Sequence, residues 1–169
     1  MIQTGSTGRS IKQQYNKLII VRGGGDIASG SIARLYNAGY KIIVLEIAEP
    51  TVIRSSVAFS QAMYDGSTTI NGITAIKAET EKDIKEILLD RAIPVINDPK
   101  GKYIDVFKPV AVVDGILAKK NLGTSRDMAP VVIGLGPGFD AGVDVDAVIE
   151  TNRGHNLGRV IFKGKPEPN

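Results

Sequence analysis

The sequence predicts an α/β fold: a Rossmann-like parallel sheet flanked by helices, with a β-hairpin insertion and a partial C-terminal β segment. Three observations carry this prediction. The apolar run LIIV at residues 18–21 runs directly into three glycines, the pattern of a buried parallel strand that ends in a tight turn. After it, Ile27, Ala28, Ile32 and Leu35 offer one helical face. The second buried run, KIIVLE at 41–46, completes a β-α-β unit whose crossover should be right-handed.

The elements follow in chain order. Residues 1–16, MIQTGSTGRSIKQQYN, hold no apolar core segment, so they read as a disordered leader and not as a secretory signal or membrane anchor. Asp26 is placed to cap the first helix and Ala38-Gly39 to stop it. Residues 50–64 predict a short helix packed through Val52, Val57 and Phe59. Asn71-Gly72 lies between two β-branched runs, and both residues tolerate the positive φ of a tight hairpin turn. Thr80 and Asp83 have capping-box spacing ahead of the stripe Ile84, Ile87 and Leu88. Strands are expected at 94–96, 110–113 and 131–135, and residues 143–162 mix short apolar runs with glycines. The organisation that results is a leader at 1–16 and a Rossmann-like domain at 17–142. Residues 143–169 are then a C-terminal extension or the start of a truncated β domain.

Composition narrows the function classes. The 169 residues suffice for one main domain with its own core. The absence of cysteine excludes thiolate metal sites, disulfides and a cysteine nucleophile, and it suits a reducing compartment, so a cytoplasmic protein is expected. Lys and Arg number 21 against 18 Asp and Glu, too even a balance to make nucleic acid or an anionic membrane the main partner. With 5% aromatic residues there is little to build a base-stacking platform from.

The strongest chemical signal is the string Gly23-Gly24-Gly25-Asp26-Ile27-Ala28, which satisfies the G-x-G-x-x-A form of the dinucleotide fingerprint between a strand and a helix. Gly23 permits the turn, Gly25 lets backbone approach a pyrophosphate, and Ala28 allows close helix packing, while the helix N-terminus attracts anions. Glu46, at the end of the second strand, stands where a carboxylate would hold ribose hydroxyls. Asp26 argues against a plain NAD site, because its charge at the helix N-terminus repels phosphate. A second glycine turn, Gly134, Gly136 and Gly138, follows the strand at 131–135 and would line the same crevice, although Pro137 removes a donor from it. Arg153 and His155, the sole histidine, sit in the densest polar cluster and suit anion capture. Asp140, Asp144 and Asp146 lack a calcium-loop pattern, so no metal site is assigned. No nucleophile elbow is present, and the catalytic residues, if any, are not identified.

These residues also carry a family resemblance. VRGGGDIASG at 21–30, EIAEP at 46–50, SVAFSQAMYDG at 56–66, GLGPGF at 134–139 and VDVDAVIETNRGHNLGRV at 143–160 together resemble the YqeB family. Proteins of that family are associated with the maturation of selenium-dependent molybdenum hydroxylases, in the manner of the XdhC-type molybdenum cofactor chaperones, which also contain a Rossmann-like domain. The resemblance implies an accessory protein that binds a nucleotide-bearing or phosphorylated ligand, such as a molybdopterin nucleotide, and that meets a molybdenum hydroxylase. It also implies a chain shortened at its C-terminal end. An NAD-dependent oxidoreductase is the alternative, supported by Gly23, Gly25, Ala28 and Glu46. A non-catalytic ligand-sensing or protein-docking module is the third reading, and a homo-oligomer is compatible with all of them.

Overall fold

A computed structural model describes residues 17–168, so the expected leader lies outside the described residues. The strands are β1 (Leu18–Arg22), β2 (Lys41–Glu46), β3 (Ser67–Ile70), β4 (Ile73–Ala78), β5 (Ile93–Asn97), β6 (Ala111–Asp114), β7 (Val131–Leu135), β8 (Ala147–Ile149) and β9 (Val160–Ile161). They form one sheet in the order β3-β4-β5-β2-β1-β6-β7-β8-β9. Seven central strands run parallel, while β3 and β9 are antiparallel edges. The predicted α/β class and the parallel sheet are what the chain adopts.

The helices are α1 (Asp26–Asn37), α2 (Ala62–Asp65), α3 (Glu81–Leu89) and α4 (Lys102–Phe107). Because β1 to β2 runs towards one edge and β5 to β6 to β7 to β8 runs towards the other, right-handed crossovers put their connections on opposite faces. The core divides accordingly. Ala28 and Ile32 of α1, with Phe59 and Ala62, pack on Val21, Val44 and Val95 on one face. Ile84 of α3, Tyr103 and Ile104 of α4, and Phe139 and Val145 pack on Ile20, Ile43, Val112 and Val148 on the other.

Local signals held at several points. The Asn71-Gly72 turn has φ of 49° and 79°, and β3 pairs with β4 across it. Thr80 and Asp83 make the reciprocal capping box of α3. Two expectations are corrected. Residues 50–64 form no continuous helix: they hold two short 3-10 turns, Ser55–Val57 and Phe59–Gln61, and then the single turn of α2, with Phe59 buried and Val57 exposed. Phe59 alone of the three expected packing residues is fully buried, while Val52 is half-buried, so the three do not form one helical stripe. Asp26 is not the cap of α1: Gly25 holds that position and Asp26 is the first helical residue. Helix α4, which the sequence reading left out, is too short to show a helical period.

Candidate functional site at the first glycine turn

β1 lies between β2, reached by the first crossover, and β6, reached only after the chain has passed back across the sheet. This is the topological switch point, and the crevice beyond the strand C-termini is where open α/β sheets place ligands. The turn 23–25 stands there. Gly23 has φ +84°, and a side chain on it would press on the backbone of Gly115 and Ile116. Gly24 is covered by Val44 and by the Ser60 amide, which donates to its carbonyl at 2.9 Å. Gly25 differs from both: no atom lies within 4 Å of where its Cβ would stand. The open glycine is thus the one at the N-terminus of α1. Ala28, the fingerprint's small residue, lies against Gly115, whose Cβ would come within 2.8 Å of it, so here the motif performs its packing role between α1 and the end of β6.

The Glu46 carboxylate closes the other side of the turn. It accepts from the Gly24 N–H at 2.6 Å and from the Ile47 N–H at 3.0 Å. Burial pushes its carboxyl above the ordinary carboxylate value, with the two backbone donors opposing that shift. Each oxygen keeps a further lone pair, so a hydroxyl can still be received. Asp26 turns away from the helix interior, taking its neighbour Ile27 N–H at 2.9 Å and the Arg54 guanidinium through Nε at 2.8 Å and Nη2 at 2.6 Å. The Arg54 hydrogen bonds hold the Asp26 carboxyl below its usual value. The pair is therefore a neutral couple beside the helix N-terminus, and the repulsion that an unpaired Asp26 would exert on a phosphate is offset by Arg54. Ser29 ties the turn to the neighbouring segment, donating to the Gly24 carbonyl at 3.0 Å and accepting from the Phe59 N–H at 2.9 Å. Next to them the Ser60 hydroxyl is buried with no partner among the described residues.

The second glycine turn sits at the same sheet edge, two strands away. Its surface is filled by the chain itself: side chains on Gly134, Gly136 and Gly138 would collide with the Phe139 ring, with Thr151 and Leu117, and with the backbone of residues 118–120. The segment 115–120 thus runs between the two turns and touches both. Arg153 and His155 are exposed in the loop after β8 and make no hydrogen bond or ion pair among the described residues. The residue that organises this loop is Glu150, which is buried and accepts from the Asn152 N–H at 2.8 Å and the Glu167 N–H at 2.7 Å. Burial disfavours its charge, but the backbone donors outweigh that and hold its carboxyl below the ordinary value. Asp144 and Asp146 accept backbone N–H groups of Asp140 and Val132, and Asp146 also meets Arg126 at 2.8 Å.

Sequence reasoning passed over two further features. Arg22 is buried at the end of β1, 3.6 Å from Asp114 of β6, and donates to Thr124 Oγ1 and to the carbonyls of Pro99 and Leu122. Thr124 in turn donates to Asp114 at 2.6 Å. An arginine closing an otherwise apolar strand run was the available signal, since a buried cation requires a partner. Arg54 gave no signal, because no spacing rule connects it to Asp26. A cavity of about 400 Å³ lined by Tyr36, Tyr40, Lys41, Leu88 and Arg91 opens at the opposite end of the strands, away from the edge where a doubly wound sheet binds ligands.

Fold and site together define a Rossmann-like α/β protein with its first glycine turn at the topological switch point. The chain is 54% identical over 154 residues to the uncharacterized protein YqeB of Escherichia coli (strain K12), and this likeness supports the YqeB family name. The match takes in 91% of this chain and 28% of that relative. No family model matches the chain, and no solved structure matches it. Among the described residues no helix is long and apolar enough to cross a membrane.

Proposed function

We propose that the chain is the Rossmann-like part of an accessory protein for the maturation of selenium-dependent molybdenum hydroxylases. Its first glycine turn binds a nucleotide-bearing or phosphorylated ligand, with a molybdopterin nucleotide as the leading candidate. The observation that carries the ligand reading is the open face of Gly25 at the start of α1, where helix N–H groups and the macrodipole favour an anion. The surrounding residues fit such a group. Arg54 neutralises Asp26 beside the helix N-terminus, and the buried Ser60 hydroxyl has a hydrogen bond to offer. The accessory role rests on what the resemblance of the motifs at 21–30, 56–66 and 143–160 to the YqeB family implies; the likeness to YqeB of Escherichia coli supports the family name alone. Arg153 and His155 belong to this reading only as an outer contact for a long or charged ligand, or for the hydroxylase.

The second reading, an NAD-dependent oxidoreductase, draws on Glu46, which stands at the end of β2 beside Gly24 where an adenosine ribose would lie. Calorimetric titration with a molybdopterin dinucleotide and with NADH separates the two. Gly25 has φ −65° and ψ 178°, an extended conformation open to any residue, so Gly25→Val should fold. Its side chain fills the phosphate approach, and the ligand should bind about tenfold or more weakly, the loss of one to two good anion contacts. An unchanged affinity in a Gly25→Val protein with parental circular dichroism would remove the ligand from this turn.

A further inference from the structure

We infer that the α1 side of the sheet over β7, β8 and β9 is a docking surface for a further part of the same polypeptide. The topology leaves this surface bare. The connections 115–130, 136–146 and 150–159 contain no helix, and Met128, Ala129, Phe139, Ala141 and Val145 from the first two pack on the opposite face. Right-handed crossovers running towards this edge lie mainly on that opposite face, so α1 and the segment around Phe59 cover the α1 side over the other half of the sheet, and at this half Leu117 alone of the 115–130 connection reaches it, at the C-terminal end of β7.

What lies bare is apolar. Strand alternation and register put Val131 and Ile133 of β7, Ala147 and Ile149 of β8, and Val160 of β9 on this one face. The exposed part is Val131 at 43%, Val160 at 46% and Phe162, just past β9, at 73%; Ile133 and Ile149 between them are half-buried and Ala147 is buried. The adjacent Ile161, on the other face, packs into the core. A parallel sheet is normally covered on both sides, because its strands are apolar on both. β9 adds a short edge with unpaired backbone groups. The occupant follows from length: the YqeB relative matches this chain along only 28% of its own sequence, so most of its polypeptide lies outside this sheet and is available to cover it.

The chain has no cysteine, so one introduced thiol reports on one place. Val160→Cys sits on the bare face and Ile53→Cys, at an 88% exposed position, is the control. Maleimide labelling is followed, by mass of the peptide that carries the introduced residue, in this chain alone and in the longer relative carrying this chain in place of its matched segment. Alone, the two thiols should react at similar rates; in the longer protein the Val160 thiol should react about tenfold or more slowly than the control. Hydrogen exchange of the unaltered full-length relative gives a second measure that depends on no variant. Slow exchange in the edge strand matching β9 supports the docking, and exchange there as fast as in a free edge strand overturns it. Equal labelling of both thiols in the longer protein also overturns it. So does light scattering that shows this chain dimerising through the face, with Val160→Asp restoring the monomer, since the occupant is then a second copy.

Discussion

The two glycine turns occupy the same sheet edge and end equivalent parallel strands, yet one presents an open backbone and the other is buried in its own chain. At the first turn the glycine hydrogen that faces nothing is that of Gly25, at the head of a helix of twelve residues. At the second turn no helix follows, and Phe139, Thr151 and the 117–120 segment occupy the space a ligand would need. Glycine in such turns therefore serves two distinct purposes, admitting a ligand or admitting the protein, and the motif alone does not separate them.

The element standing between the turns is the 115–124 segment, held by the buried Arg22, Asp114 and Thr124. Breaking it is the strongest way to disturb the comparison. Arg22→Ala leaves the Asp114 charge buried and unpaired, and should cost about 3–5 kcal/mol of stability in urea unfolding. A loss under about 1 kcal/mol, the range of an exposed ion pair, would show that the couple does not hold the segment.

The turns themselves should then respond in opposite ways. Gly134→Ala drives a methyl into the Phe139 ring and should cost about 1–3 kcal/mol by overpacking. Gly25→Ala meets empty space and changes only the cap of α1, so it should cost about 1 kcal/mol or less. Equal costs, measured by thermal unfolding, would erase the distinction between a filled and an open turn.

The smallest effect is expected at Glu46. Its carboxyl is raised above an ordinary value of 4.5, with burial as the first cause. Below the ordinary value the group is protonated in both folded and unfolded chains. As pH rises through that value and then through the raised folded one, the unfolded chain ionises first and stability falls. Glu46→Gln keeps an acceptor for the Gly24 N–H and removes the titration, so its stability should decline less than the parent's as pH rises through and above the ordinary value of 4.5. Identical pH profiles for the two proteins would deny that Glu46 is desolvated by the turn.

Much of the sheet was legible in the sequence because buried parallel strands are written as short apolar runs: 18–21, 41–46 and 131–135 each reappear as strands. The hairpin and the α3 capping box were legible because their signals are local. Within the site, Gly23, Gly24, Gly25 and Glu46 come together as the fingerprint implies. What stayed hidden depends on distance. Arg54 reaches Asp26 from a segment without helical period, and the packing of Leu117 and Thr151 on Gly136 joins residues that no short-range rule connects. Asp26 was misplaced by one position, since both Gly and Asp serve as N-caps and the sequence offers them side by side.

The position of β1 has a consequence for how the protein comes to be made. Among the described residues it is the first strand and the centre of the sheet, and its partners lie at very different distances along the sequence: Ile19 pairs with Ile42 on one side and with Ala111 on the other. At ribosomal speeds of about 5–20 residues per second, β6 arrives roughly 5–20 s after β1. Throughout that interval LIIV has one unpaired edge, and the β1–β2 unit is an incomplete sheet in search of a strand. The centre of the sheet is therefore completed only by a contact between distant parts of the sequence, which makes its closure a late step of folding.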